Sequence, residues 1–238
     1  MTIICGAVGL EPFLAVADDV VAAMLEIQDK QLETKDSQRL YLLSAWQRIC
    51  LLMKDKFVKY LPQVLKGIFT MAALNPKMGV SGSDTVAALT DVLNEINEGK
   101  NEGESKAAQN IVTDEIEEKE VAIQMLSVFI DELGVSFFDY VQPASEIMLS
   151  LTDYDSNDSI RQTAVSALPD LIKVYKQRQG LCAELVTLAR HFQANIDKAM
   201  KKETETEVLI SQVVAMKDII LELEHPYLAG EEVGVMGE

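Results

Sequence analysis

The sequence holds two histidines, three cysteines and one tryptophan among 238 residues, and aromatic side chains make up 6% of it. Each scarcity excludes a class of protein. Cys5, Cys50 and Cys182 lie far apart and form no CxxC pair, which argues against a disulfide framework. Each falls in an apolar helical segment, so buried, reduced thiols in an intracellular protein are expected. His191 stands beside Phe192, and His225 precedes Pro226 near the C-terminal end. A Cys–His pair drawn from Cys50 or Cys182 with His191 would lack an orienting third group. The chain shows no P-loop, no Rossmann glycine pattern and no zinc-ligand spacing; no catalysis, cofactor or metal is expected. Glycine and proline cluster at a few places and do not recur every ten residues or so, which disfavours an all-β fold. The start, MTIICGAVGL, lacks a basic leader, and no run reads as long and apolar enough to cross a bilayer. Basic residues are also short, 21 Lys and Arg against 38 Asp and Glu, for a formal charge of −17. Such a surface repels nucleic-acid phosphates and anionic membrane and attracts basic protein segments, although acidity also serves solubility alone.

The chain is 48% hydrophobic, enough for a sizeable core, and its Leu, Ala, Val, Ile, Met, Glu and Lys suit helices packed on helices. Internal repeats set the architecture. FVKYLPQVLKGIFTMA from Phe57 matches FFDYVQPASEIMLSLT from Phe137, with Phe, Tyr and a following Pro in step. FLAVADDVVAAMLEIQ from Phe13 and LCAELVTLARHFQANI from Leu181 are further copies; the spacings are 44, 80 and 44 residues. A second helix follows each copy: SQRLYLLSAWQRICLLMK, EKEVAIQMLSVFIDEL, SIRQTAVSALPDLIKVY and TETEVLISQVVAMKDIILEL. Four helix hairpins of this length are the signature of HEAT or armadillo repeats. The predicted fold is an all-α, right-handed α–α superhelix. Residues 1–10 read as the end of a preceding helix, and 11–54, 55–134, 135–177 and 178–225 as the repeats. The 55–134 repeat carries a long acidic insertion at 75–113, in which Asp84–Ile96 could form a short helix and Glu95, Glu98, Glu102 and Glu104 sit in a mobile loop. Residues 226–238 read as a flexible tail.

Charged residues recur at the hairpin turns. Arg39, Lys119 and Arg161 open successive second helices, where the helix dipole disfavours a cation. In HEAT repeats a turn acid and the following base form a ladder between neighbouring turns. Asp36 with Arg39, and Asp155 or Asp158 with Arg161, fit that pattern, and Lys119 holds the same place. Asp158 or Ser159 is expected to cap the helix that contains Arg161, and Thr204 with Glu207 to form a capping box. Trp46 shares the register of Leu126 and Leu168 and is assigned to the core, as are Met24, Met71 and Met148. Ala122, Met125, Leu126, Phe129, Ile130 and Leu133 make one apolar stripe. Glu117, Glu120, Gln124 and Asp131 fall on the opposite face, as do Ser44, Gln47, Ser166 and Asp170 in the neighbouring helices. These eight share one polar face, which the resemblance described below implies to be a candidate cargo groove for a basic, extended segment.

The blocks CGAVGLEPFLAVADDVV, LYLLSAWQRICLLMKDKFVKYLPQVLKGI, IEEKEVAIQMLSVFIDELGVSFFDYVQPASEIMLSL and SIRQTAVSALPDLIKVY together resemble a section of an importin-beta superfamily transport receptor of the beta-3 branch. Pro169 belongs to the resemblance and is expected to bend its helix along the solenoid. The resemblance implies a part of a longer receptor that shuttles between cytoplasm and nucleus, with outer repeats exposing apolar faces. It implies basic cargo carrying nuclear localisation signals on the concave face and phenylalanine-glycine nucleoporins on the convex face. Ran-GTP would bind the full-length receptor, chiefly at an N-terminal arch this section lacks. No direct nucleic acid or membrane partner is implied. A HEAT scaffold of another complex, such as a phosphatase scaffolding subunit or an assembly platform, is the alternative reading.

Overall fold

The computed structural model describes residues 9–29, 38–73 and 102–223. Every regular element among them is helical: α1 (Leu10–Leu14), α2 (Ala17–Asp29), α3 (Gln38–Met53), α4 (Leu61–Ala73), α5 (Glu102–Leu133), α6 (Val141–Leu151), α7 (Asp158–Gln179), α8 (Ala183–Met200) and α9 (Thr206–Leu223). Two 3-10 segments, Lys54–Tyr60 and Gly134–Tyr140, join α3 to α4 and α5 to α6. The hairpins are α1/α2 with α3, α4 with α5, α6 with α7, and α8 with α9.

Burial follows the repeat residue by residue. In α3 the side chains of Leu42, Leu43, Ala45, Trp46, Ile49, Cys50 and Met53 are buried. Their counterparts in α5, Ala122, Ile123, Met125, Leu126, Phe129, Ile130 and Leu133, are buried too. In α7 the same register buries Ala164, Val165, Ala167, Leu168, Leu171 and Ile172. A stripe this wide serves two neighbours at once, as an inner helix of a stack requires. Met24 and Met148 are buried, and Met71 packs half-buried against the core.

The joints repeat as well. Lys54 and Gly134 both take a left-handed φ of 47°, which turns the chain from one hairpin into the next. Phe57 and Phe137 then insert fully into the core. Phe57 lies between Trp46 of its own side (centroids 6.5 Å apart) and Phe129 of the next hairpin (5.3 Å), at distances typical of tilted aromatic pairs. Pro62 and Pro143 sit in the first turns of α4 and α6, where a missing N–H costs nothing.

Successive second helices α3, α5, α7 and α9 pack along one another, whereas the first helices α2, α4 and α6 touch their neighbours at few points. A stack that is closer on one side curves toward that side. The second helices are the more closely packed side of the stack, called the inner face below.

Several expectations are corrected. The second helix of the 55–134 repeat begins at Glu102, inside the segment assigned to a loop at 75–113. GESKAAQN is rich in helix formers, and the acids Glu102 and Glu104 favour its N-terminal end; Asp84–Ile96, Glu95 and Glu98 lie outside the described residues. Leu10 starts α1 of the first hairpin, while residues 1–8, read as part of a preceding helix, lie outside the described residues. The cap of α7 is Asn157, whose Oδ1 accepts a hydrogen bond from the Ile160 N–H at 3.0 Å, in place of Asp158 or Ser159. Helix α9 begins at Thr206, so Thr204 lies too early to form a box with Glu207. Cys182 is half-buried at the N-cap of α8, outside the helix; Cys50 is buried and free, and Cys5 lies outside the described residues. The stretch Glu115–Leu151 is long and apolar enough, by composition, to cross a bilayer. It comprises the end of α5, a 3-10 joint and α6, and its apolar side chains Phe129, Phe137 and Met148 are buried in the inter-helix core. The helix α7 runs without a break through Pro169. The tail 226–238 lies outside the described residues.

Candidate protein-binding site

At the hairpin turns the structure shows why a cation can open a second helix. Arg161 Nη1 donates to the Tyr154 carbonyl at 2.9 Å, just beyond the C-terminal end of α6. Lys119 Nζ donates likewise to the Ala72 carbonyl in the last turn of α4, at 2.7 Å. For Arg161 the first turn of α7 lies beside the end of α6, whose negative dipole end offsets the unfavourable one; Lys119, expected to open its helix, stands instead in the interior of α5, which begins at Glu102. Lys119 is buried and stands over the Tyr154 ring at 5.1 Å; burial pushes its amine down to about 8.

Arg161 also links two hairpins. Its Nε and Nη2 donate to the two carboxylate oxygens of Glu203 at 2.8 and 3.0 Å, and Nη2 meets Asp158 Oδ1 at 2.8 Å. The side chains of Arg161 and Glu203 are only 10% and 4% exposed. Burial works against ionisation of Glu203, but Arg161 and the N–H groups of Glu205 and Thr204 outweigh it and hold the carboxyl below its usual range. Of the two acids expected for Arg161, Asp158 pairs with it, while Asp155 only lines the same polar recess. Asp36 lies outside the described residues, as does the side chain of Arg39. Glu203 was not legible as a partner in the sequence because it lies in the next hairpin's turn, 42 residues away. A neighbouring bridge joins Lys202 to Asp153 at 3.2 Å.

The eight groove candidates all stand at half-buried or exposed positions of α3, α5 and α7, opposite the buried stripe. Glu120 accepts hydrogen bonds from Gln124 (3.2 Å) and from the Asn157 side chain (3.0 Å), so it is tied to the α7 cap. Asp170 is the most constrained. Burial raises its carboxyl above the usual range, and the charges of Asp131 on α5 and of Asp218 and Glu222 on α9 add to this, with Lys173 acting against them. Four acids from three consecutive inner helices thus share one field. Lys176 binds the Glu222 carboxylate at 3.3 Å and its carbonyl at 2.8 Å, and Lys217 binds Asp218 at 3.0 Å, so neutralisation is partial. Asp218 and Glu222 were missed because the apolar residues of α9 are spread round the helix and mark no single polar face. At α9 the inner face also changes character: Ile210 and Val214 hold the places of Ser166 and Asp170, and both are exposed, with Val213 and Leu221 beside them.

On the outer side a recess of about 750 Å³ opens between α6 and α8. Phe138, Val141, Tyr175 and Leu188 give it an apolar floor, and Asp139, Gln142, Glu184 and His191 a polar rim. The rings of Phe138 and Tyr175 meet at 5.4 Å between centroids, tilted by 56°.

Helix hairpins stacked in one direction define a HEAT-repeat solenoid. No family model matches the chain. It is 26% identical over 196 residues to importin subunit beta-3 of Saccharomyces cerevisiae, covering 80% of this chain and 17% of that protein. It is 24% identical over 226 residues to a probable importin-5 homolog of Dictyostelium discoideum, covering 90% and 19%. The karyopherin Kap121p, solved bound to the SUMO protease Ulp1p, superposes with a TM-score of 0.73 at 22% identity, over 94% of this chain and 20% of that one. The chain is thus similar in sequence to importin subunit beta-3 and to an importin-5 homolog, and shares its fold with the karyopherin Kap121p. It spans about a fifth of the length of these relatives.

Proposed function

We propose that the chain is a section of a nuclear import receptor, in which α3, α5, α7 and α9 hold basic cargo segments by reversible binding without chemistry. The observation that carries this reading is the shared field of Asp131, Asp170, Asp218 and Glu222 across three inner helices. Carboxylates kept close together at an energetic cost attract a lysine-rich segment, which relieves their repulsion. Kap121p has been solved with Pho4p, with the nucleoporin Nup53p and with RanGTP, which supports cargo, nucleoporin and Ran as partner classes for the receptor of which this is a section. The recess between α6 and α8 suits a phenylalanine ring of a phenylalanine-glycine repeat, with Phe138 and Tyr175 as its aromatic walls. Shuttling between cytoplasm and nucleus follows from that role.

Pull-down of the chain with a lysine-rich localisation peptide and with phenylalanine-glycine peptides tests the proposal. Both should be retained, the first lost on raising salt and the second lost in Leu188→Asp. Retention of neither, with stable capture of a phosphatase catalytic subunit instead, would favour a scaffold.

A further inference from the structure

Among the described residues, four of the large apolar side chains left exposed lie on α9: Ile210, Val213, Val214 and Leu221. Exposed aliphatic groups gathered on one helix mark a contact surface. Ile210, Val214 and Leu221 stand 44 residues beyond Ser166, Asp170 and Gln177 of α7. Ser166 and Gln177 stay exposed and Asp170 half-buried, although the packing of α9 on α7 is the most extensive between any two described helices. A further hairpin set against α9 in the same way would leave Ile210, Val214 and Leu221 uncovered. The three residues run along one side of α9 for about 16 Å, at about 1.5 Å per residue. Asp218 and Glu222 border this stripe toward α7, where their charges act on Asp170.

We propose that this stripe is a docking surface for a basic amphipathic helix of a partner protein, laid along α9 with aliphatic residues on Ile210, Val214 and Leu221 and lysines or arginines over Asp170, Asp218 and Glu222. This goes beyond the reading above, which asks only for basic charge. Helical form follows from the chemistry of the stripe. An extended backbone would lie over Ile210, Val213, Val214 and Leu221, whose side chains cannot hydrogen-bond to it, whereas a helix satisfies its own N–H and C=O groups. Basic charge follows from the border. Lys176 and Lys217 pair with Glu222 and Asp218, yet both acids still act on the Asp170 carboxyl and hold it above its usual range. The same charges disfavour other occupants. A second copy carries the same −17, and residues 224–238 of this chain hold four glutamates and no lysine or arginine.

Fluorescence anisotropy with the full chain tests this, using a leucine–lysine peptide of about 18 residues with its leucines at helical spacing, and a control of the same composition with the leucines scattered. The wild type should bind the first about tenfold more tightly, and Ile210→Ser/Leu221→Ser should remove that preference. Both positions are exposed, so the core stays intact and the variant should bind a lysine-rich localisation peptide as the wild type does. Equal affinity for the two leucine–lysine peptides, or a preference that survives the double substitution, would overturn the docking surface while leaving the basic-segment reading to stand on the localisation peptide. Loss of every peptide in the variant would overturn it too, since no contact particular to the stripe would remain. Binding of the helical peptide alone, with the localisation peptide ignored by the wild type, would keep the docking surface and remove the other reading. A dimer in sedimentation that the double substitution dissolves would assign the stripe to a second copy, and a helical peptide bound only after removal of 224–238 would assign it to that segment; either result overturns the proposal.

Discussion

Arg161 shows how a residue unfavourable for its own helix becomes useful to its neighbours. It meets the end of α6, the acid of its own first turn and the carboxylate of the next hairpin. Removing one partner of a pair this buried leaves the other charge uncompensated, so Glu203→Gln should destabilise the chain by about 3 kcal/mol, read from denaturant midpoints near neutral pH. The pH dependence has a definite sign. Glu203 is held below its ordinary value of 4.5, so its contribution is complete above that value and is lost as pH falls through the depressed folded pKa. The gap between wild type and Glu203→Gln should therefore close in acid; a gap that stayed constant with pH would show the carboxylate to be idle. Lys54 offers a simpler case. It takes the left-handed turn that glycine takes at the equivalent Gly134, and its 3.8 Å contact with Glu132 is exposed on the lysine side. Lys54→Gly should stabilise the chain by about 1 kcal/mol, since a side chain in that conformation costs about that much and an exposed pair returns little. The thiols divide by burial: Cys50 is pushed up to about 12 and should resist iodoacetamide in the native chain while Cys182 is labelled. Peptide mapping checks this, and early labelling of Cys50 would mean that the core opens readily.

At the scale of elements, the inner stripes were legible in the sequence because one register of apolar residues recurs in α3, α5 and α7, and nothing in their surroundings alters it. Element ends were less legible. Around Asn157 the sequence YDSNDS offers several capping residues in a row, and backbone geometry alone selects among them. The start of α5 was missed for another reason: its first turns are polar, and an apolar stripe is what marks a helix against a loop. The groove acids Asp131 and Asp170 could be placed on one face by periodicity, but Asp218 and Glu222 could not be joined to them without knowing how α9 packs. Their mutual repulsion leads to a further expectation. A carboxyl whose folded pKa is raised binds more protons folded than unfolded, so stability falls as pH rises from 3.8 through the folded value. Asp170→Asn removes that penalty and should raise stability at neutral pH by on the order of 1 kcal/mol, as read from the thermal midpoint. The same change should weaken binding of a basic peptide. A higher midpoint together with weaker peptide binding would support the proposed binding role of Asp170; an unchanged or lower midpoint would count against it.

For the molecule as a whole, the formal charge of −17 acquires a location. Part of it lies along the second helices, where the charges of Asp131, Asp218 and Glu222 act on Asp170. Attraction of this kind is long-ranged at low salt and screened beyond about 8 Å at physiological ionic strength, which suits the reversible binding proposed above. The most direct test is a fluorescence-anisotropy titration of a lysine-rich localisation peptide against the wild-type chain and against Asp131→Asn/Asp170→Asn, at low and physiological salt. We expect binding by the wild type that weakens with salt and that falls by about tenfold in the double variant. Equal affinity for the two proteins, or affinity indifferent to salt, would contradict the acidic inner face as the site of binding.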